Sequence, residues 1–420
     1  MIWKRSHLGK RILAWAVLTA VLSVAGILTA CGSEEKPEKE RKDVVDQMDQ
    51  QGQSIEDGDY QEEQIDAGGQ DADSESESAE SSREDLDQIK EQFGENCVAE
   101  QTFEVELSEY PEPVWFVPRS PAQTGQGLEI EIIQNGEVLT ELDVYVPDAL
   151  AGENFTSLDA VSFYDMDFDN CTDIVLIETY GNSSFAAVYY GVGDAGTDEP
   201  RYFVLQKALS EALSEQVNPL TVTEIRNFIS GGKRNGEFDS YQEAYAAMAR
   251  LCDMETEEQI YDMAYDLIYV DEDDIPELAA CHQGYSVSLY TYWDGAIYTL
   301  MNDWGYGAMG NAGYAYAPRQ NNVVNDNNDY AGAILYTTYM AVSDHQSLDV
   351  VACIETYNFD DVNQNGYPDE EELDSLGMYG VSYIDGVEIS AEEAASYKVG
   401  DYEFIEGSMT LEELLAALRN

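Results

Sequence analysis

The first apolar feature is an unbroken run, Ile12 to Ala30 (ILAWAVLTAVLSVAGILTA). It follows a leader, MIWKRSHLGKR, that carries Lys4, Arg5, Lys10 and Arg11 and no acid. A basic leader before a continuous apolar stretch is a secretory signal pattern, predicted over 1–30. The stretch is also just long enough to span a bilayer as an uncleaved helix. After Cys31 the apolar positions thin out. Residues 31–96 are acidic, rich in Gln and Ser and nearly free of aromatics. Such a segment buries too little apolar surface to offset chain entropy, which predicts a disordered linker. As a flexible coil it would reach roughly 45 Å, and further under its own charge repulsion. Only EDLDQIKEQFGEN, at its end, has the composition of a short helix.

Beyond residue 97 the rhythm becomes period two. TFEVELSEY and LEIEIIQNGEVLTELDVYV alternate, and Asn135-Gly136 supplies a hairpin turn. AVSFYDMDF, DIVLIETYG, FAAVYYGVG and RYFVLQKAL read as further antiparallel strands. The period then changes to that of helices. LTVTEIRNFIS opens with Thr221 and has Glu224 three residues on. DSYQEAYAAMARLCDM repeats the device with Ser240 and Glu243 and places Tyr241, Ala244, Tyr245 and Met248 on one face. TEEQIYDMAYDLIYV continues as helix and turns into strand near Asp266–Val270.

Strands return in YSVSLYTYWDG and AIYTLMN, joined at Asp294-Gly295. Residues 304–334 read as a Gly-, Asn- and Tyr-rich loop, followed by strands AILYTTYMAV and LDVVACIETYN. YIDGVEIS is a tight hairpin around Asp385-Gly386. Short helices start at Ser390/Glu393 and Thr410/Glu413. The predicted class is α+β: two domains of antiparallel sheet with segregated helices, 97–207 and 208–420, after the linker.

Composition narrows the partners. The chain has a formal net charge of -64, most of it on residues 97–420. That excludes nucleic acid, which needs a basic footprint. It favours cations, because bound calcium would relieve self-repulsion. Of six cysteines, five remain once Cys31 is set aside: Cys97, Cys171, Cys252, Cys281 and Cys353. No CxxC pair occurs, so neither a zinc ribbon nor a thioredoxin-type site is indicated. One or two disulfides are open, without a readable connectivity.

Leu28-Thr29-Ala30-Cys31, behind the basic leader and apolar run, resembles the bacterial lipoprotein box. The resemblance implies cleavage before a Cys31 that carries diacylglycerol. Two acyl chains anchor a protein stably where one does not. The expected location is the outer face of a bacterial cell membrane, with the membrane as a partner through the N-terminus.

Three acidic loops carry the candidate chemistry. FYDMDFDNCTDIV places Asp165, Asp167, Asp169, Cys171 and Asp173 at positions 1, 3, 5, 7 and 9. In a tight loop the alternate carboxylates converge, Cys171 gives a backbone oxygen, and Asp173 closes the ring; calcium takes six to eight such oxygens. Strand–DxDxDxxxD–strand resembles the FG-GAP and VCBS repeat loops of extracellular proteins. Those loops usually carry Gly at position 6, where this chain has Asn170, the next best residue for a left-handed turn. YVDEDDIPELAA is similar to a DxDGIPEL segment, with Asp271, Asp273 and Glu277 at positions 3, 5 and 9. Position 1 there is Tyr269 and position 6 is Asp274, which favours a structural turn over a metal site. DVNQNGYPDEEE fits the EF-hand loop pattern: Asp361, Asn363, Asn365, Gly366, the Tyr367 carbonyl, Asp369 and Glu372. A strand precedes it, so an unpaired EF-like loop of weak affinity is expected, about 10⁻⁴–10⁻³ M. Three loops spaced this widely do not make a propeller.

SYQEAYAAMARL, DLIYVDEDDIPELAA, GYSVSLYTYWDG and YIDGVEISAEEAASY together resemble uncharacterised lipoproteins of gut Firmicutes. That resemblance implies a location and a fold type more than an activity. Trp293, Trp304, Tyr306, Tyr314 and Tyr316 offer a carbohydrate- or peptide-binding face, or else ordinary sheet packing. No nucleophile–base set stands out: the histidines are His7, His282 and His345, and no G-x-S-x-G occurs. The expected function is a calcium-stabilised binding or scaffold module for a glycan or surface protein. A glycan hydrolase working through two carboxylates and the substrate-binding lipoprotein of a transporter are the alternatives.

Overall fold

The computed structural model describes residues 78–123, 125–193, 201–256, 263–308 and 310–419. The signal segment, Cys31 and most of the linker lie outside them. The linker's end is helical: α1 spans Ser78–Phe93. Leu86, Ile89 and Phe93 pack with Trp115, Val117 and Ile133 of the first sheet. The Arg119 guanidinium ties this corner together, donating to the Phe93 carbonyl at 2.6 Å and to Glu131 Oε2 at 2.7 Å.

Four antiparallel sheets follow in chain order. The first is β1 (Phe103–Val105), β2 (Val114–Arg119), β3 (Glu129–Gln134) and β4 (Glu137–Glu141). The second is β5 (Phe155–Tyr164), β6 (Asp173–Tyr180), β7 (Ser183–Val192) and β8 (Tyr202–Leu205). Three helices come next: α2 (Lys207–Gln216), α3 (Val222–Ser230) and α4 (Tyr241–Glu255). The third sheet is β9 (Met263–Ile268), β10 (Glu277–His282), β11 (Ser286–Trp293) and β12 (Ala296–Gly305). The fourth holds β13 (Tyr314–Ala317), β14 (Asn322–Asp329), β15 (Ile334–Ser343), β16 (Ser347–Tyr357), β17 (Val381–Ile384), β18 (Val387–Ile389) and β19 (Glu403–Phe404), in the order β18-β17-β16-β15-β14-β13-β19. Helices α5 (Ala391–Ser396) and α6 (Leu411–Ala417) complete the chain.

The cores show how these layers stack. Phe116, Ile130 and Ile132 of the first sheet meet Ile174, Leu176 and Tyr189 of the second. The second sheet's other face, with Val175, Ile177 and Val188, meets α2, α3 and α4. Those helices also cover Leu278, Ala280 and Tyr290 of the third sheet. The third sheet's far face, with Ala279, Cys281, Val287 and Leu289, packs on Tyr314, Tyr316, Val323 and Met340 of the fourth. The two middle sheets are therefore covered on both faces. That explains why β6 (DIVLIETY) and β10 (ELAACH) read as continuous apolar runs, since alternation needs one wet face.

The antiparallel sheets agree with expectation, but six helices among the described residues make the chain mostly β, not a balanced α+β protein. Three local expectations are corrected. RYFVLQKAL is strand only to Leu205; Lys207 starts α2, which has no side-chain cap and so no capping signal. The helix at 241 ends at Glu255, with Thr256 extended; residues 257–262 of the expected continuation lie outside the described residues, and Met263–Ile268 is strand where helix is expected up to about 265. Residues 304–334 contain β13 and β14, whose Asn-rich pattern hides strands that hydrogen-bond to β15 and β19. The expected turns and caps are present. Asn135, Asp294 and Asp385 have φ of 53°, 49° and 51°, each before a Gly. Thr221, Ser240, Ser390 and Thr410 accept the third-residue N–H of their helices.

Candidate metal centres

The first acidic loop joins β5 to β6. Its position-1 carboxylate organises the turn: Asp165 accepts the N–H of Asp169 at 3.0 Å and of Asn170 at 3.1 Å. Asp167 accepts Asp169 N–H at 3.3 Å, and Asp169 accepts Cys171 N–H at 2.7 Å. Phe168 and Asn170, at positions 4 and 6, are left-handed with φ of 66° and 70°. Asn170 thus does the work expected of it. Phe168 is anchored by an edge contact with Phe238, and its carbonyl accepts the Asn235 amide at 2.9 Å.

Asp173 closes the loop from the first position of β6. It is fully buried, accepting Met166 N–H at 2.6 Å and Gly191 N–H at 2.9 Å. Gly191 runs so near that a Cβ there would lie 2.5 Å from the Thr172 carbonyl and 2.6 Å from Glu109 Oε1. Glu109, also fully buried, accepts Thr172 N–H at 2.6 Å, while its Oε2 meets no hydrogen-bond partner among the described residues. Sequence reading did not single out Glu109, which comes from the strand-poor stretch after β1.

Charge accumulates here. Burial first, then the Asp169 charge, pushes the Asp165 carboxyl up to about 7. Burial, then Asp173 and Asp169, pushes Asp167 up to about 10. Asp173 is also raised by burial despite its two backbone donors. The Cys171 thiol goes up to about 12 through burial and the Asp169 charge, and it points toward the Gly193 carbonyl. Carboxyl oxygens of Asp165, Asp167 and Asp169 all lie within 4.8 Å of one another, an arrangement that can hold a metal ion.

The loop between β16 and β17 has the same internal wiring. Asp361 accepts the N–H of Asn365 at 3.1 Å and of Gly366 at 3.0 Å. Asn363 accepts Asn365 N–H at 2.9 Å, and Asn365 accepts Tyr367 N–H at 2.7 Å. Positions 4 and 6 are again left-handed, Gln364 at φ 58° and Gly366 at φ 77°. Glu372, nearly buried, closes the loop by accepting Val362 N–H at 2.9 Å and Asp369 N–H at 3.1 Å. A single 3₁₀ turn, Leu373–Ser375, follows it, and a strand precedes it. The loop is EF-like in sequence and hydrogen bonding but has no flanking helix pair.

The loop between β9 and β10 keeps part of this plan. Asp271 accepts Asp273 N–H at 3.0 Å, Asp273 accepts Ile275 N–H at 2.7 Å, and buried Glu277 accepts Val270 N–H at 2.8 Å. Burial pushes Glu277 up to about 8. Position 1 is absent as a ligand: the Tyr269 ring lies under the Arg319 guanidinium at 4.2 Å. Glu272 and Asp274 are not among the residues with positive φ, so the turn differs from the other two. His345 enters instead, from the turn between β15 and β16, and with Asp271 and Asp273 forms the second group that can hold a metal ion. No local pattern links residue 345 to residue 271; only the scarcity of histidine in the chain marked it.

The five aromatic candidates do not share one face. Tyr314 and Tyr316 are buried, and Trp304 and Tyr306 pack against the same core between the third and fourth sheets. Trp293 alone is well exposed, and it stacks on His345. Cys97, Cys171, Cys252, Cys281 and Cys353 are all free thiols. No helix among the described residues is long and apolar enough to cross a membrane. No family model, no curated protein and no solved structure matches this chain.

Proposed function

We propose that this chain is a lipid-anchored protein of the outer face of a bacterial membrane, whose folded part is a calcium-stabilised binding or scaffold module. One observation carries the calcium reading. The loops at 165–173 and 361–372 are separated in sequence and lie in different sheets, yet they adopt the same hydrogen-bonded turn. In each, the position-1 carboxylate takes two backbone N–H groups, and positions 4 and 6 are left-handed. In the first loop that turn brings the carboxylates at positions 1, 3 and 5 together, and oxygen-only donors at such a point suit calcium. A cation would also offset the burial, and then the like charge, that raise the Asp165 and Asp167 carboxyls.

The anchor rests on the basic leader, the apolar run and the LTAC box before Cys31. Outside the cell calcium is abundant enough to fill weak sites. Binding is favoured over catalysis because the one thiol beside these carboxylates, Cys171, is held protonated by burial and the Asp169 charge, and the closing acids are occupied by backbone N–H groups. The partner class is a glycan or a surface protein.

The test is calcium titration of the full chain by calorimetry, with melting curves in calcium and in chelator. Binding heat and a higher melting temperature in calcium are expected. Absence of both sinks the reading. A glycan array, followed by a turnover assay on any hit, separates a binding module from a hydrolase.

A further inference from the structure

We propose that Asp271, Asp273 and His345 form a centre for a divalent transition metal of the zinc type, chemically distinct from the two calcium loops. The donors come from two elements far apart in the chain: the β9–β10 loop and the β15–β16 turn. Each carboxylate divides its oxygens. Asp271 Oδ1 and Asp273 Oδ1 each take a loop N–H, at 3.0 and 2.7 Å. Their Oδ2 atoms face the His345 Nδ1, at 3.7 and 3.6 Å. Those separations are too long for hydrogen bonds. They match two ligands each about 2.1 Å from a shared ion at angles near tetrahedral or trigonal.

Two features hold the centre in place. Asp271 is 8 % exposed, and its Oδ2 faces the His345 Nδ1 at 3.7 Å. The His345 ring is held by Trp293, stacked with centroids 3.9 Å apart and planes 3° from parallel. Where the calcium loops place a position-1 carboxylate, this loop has Tyr269 covered by Arg319. Arg319 itself donates to the Asp273 carbonyl and to Asp274, outside the donor set. Exchanging a carboxylate for imidazole moves the preference from calcium toward zinc, iron, nickel or copper. Three protein donors with a part-exposed histidine leave a fourth position for water.

The experiment uses zinc as the probe. The full chain is titrated with Zn²⁺ by calorimetry in a large excess of calcium, while tryptophan emission is followed. One zinc equivalent binds and changes the emission. His345→Asn weakens that binding at least tenfold. It keeps a residue suited to the left-handed conformation at 345, φ 58°, so folding is preserved, and an unchanged calcium-free melting curve checks this. Asp271→Asn weakens it likewise, and His282→Gln leaves it intact. Trp293→Phe, whose ring can still stack on His345, loses the emission change. No zinc heat, the signature of a histidine–carboxylate ion pair only, overturns the proposal. So does zinc binding that calcium abolishes, or binding that His345→Asn does not alter.

Discussion

Asp173 accepts the Met166 N–H at 2.6 Å across the mouth of the first acidic loop, and its other oxygen takes Gly191 N–H at 2.9 Å on β7. The closing acid is thus committed to the backbone of its own loop and of the neighbouring strand. Asp169 is exposed and accepts Cys171 N–H at a distance an asparagine oxygen could reproduce. The two acids should separate cleanly. Asp173→Ala leaves two buried donors unpaired and should cost about 2–4 kcal/mol of stability, measured by urea unfolding in chelator. Asp169→Asn should change that stability by less than about 0.5 kcal/mol while abolishing the loop's calcium heat. Equal effects of both substitutions on metal-free stability would refute this division of labour.

Asn170 tests the backbone. At φ 70° an alanine side chain is strained, whereas asparagine and glycine are tolerated. Asn170→Ala should destabilise by about 1–2 kcal/mol, and Asn170→Gly should stay near the parent. Melting temperatures of the two variants decide it. If alanine is as stable as asparagine, the left-handed turn is not the solution conformation.

What the sequence disclosed follows a physical divide. Turns and caps were readable because their chemistry is local. Asp294-Gly295 needs two left-handed residues, and Thr410 finds Glu413 three positions away. The DxDxD loops were readable for the same reason, since their hydrogen bonds run between residues two to five apart. Helix α2 was missed because it lacks a cap and is held by tertiary packing, with Leu209 and Leu213 buried between layers. The His345 contact with Asp271 and the Glu109 contact with Thr172 cross more than sixty residues. No periodicity records such contacts, so only the folded chain brings them together.

Glu178 gives a pH dependence independent of metal. It lies on β6 almost wholly buried, with the Tyr180 hydroxyl donating to it at 3.3 Å. Burial pushes its carboxyl up to about 8 from an ordinary value of 4.5. Because the folded-state value is the higher one, the folded form holds the proton more tightly. Its contribution to stability is fully present below about 4.5 and is lost as pH rises through about 8. The upper bound on that loss is about 1.4 kcal/mol per pH unit within this window. Glu178→Gln has no proton to lose. It should gain on the parent between pH 5 and pH 8 in denaturant titrations with calcium present. Parallel pH profiles for the two proteins would rule Glu178 out as the source.

Glu372 tests whether the loop at 361–372 would bind calcium independently of the first loop. Its Oε1 takes Val362 N–H and its Oε2 takes Asp369 N–H, so the carboxylate pins both ends of the loop while lying at the twelfth position. Glu372→Gln replaces one oxygen by an amide donor that would face the Asp369 N–H or an incoming cation. Calcium affinity of this loop should fall at least about tenfold, or 1.4 kcal/mol. The loop at 165–173 belongs to another sheet and should keep its own heat unchanged. Asp165→Asn should do the converse, removing the first loop's heat and sparing the second. The double variant should bind no calcium at either loop, with losses that add, because the sites share no ligand. A calorimetric titration in which Glu372→Gln also removes the first loop's heat would show one coupled site in place of two.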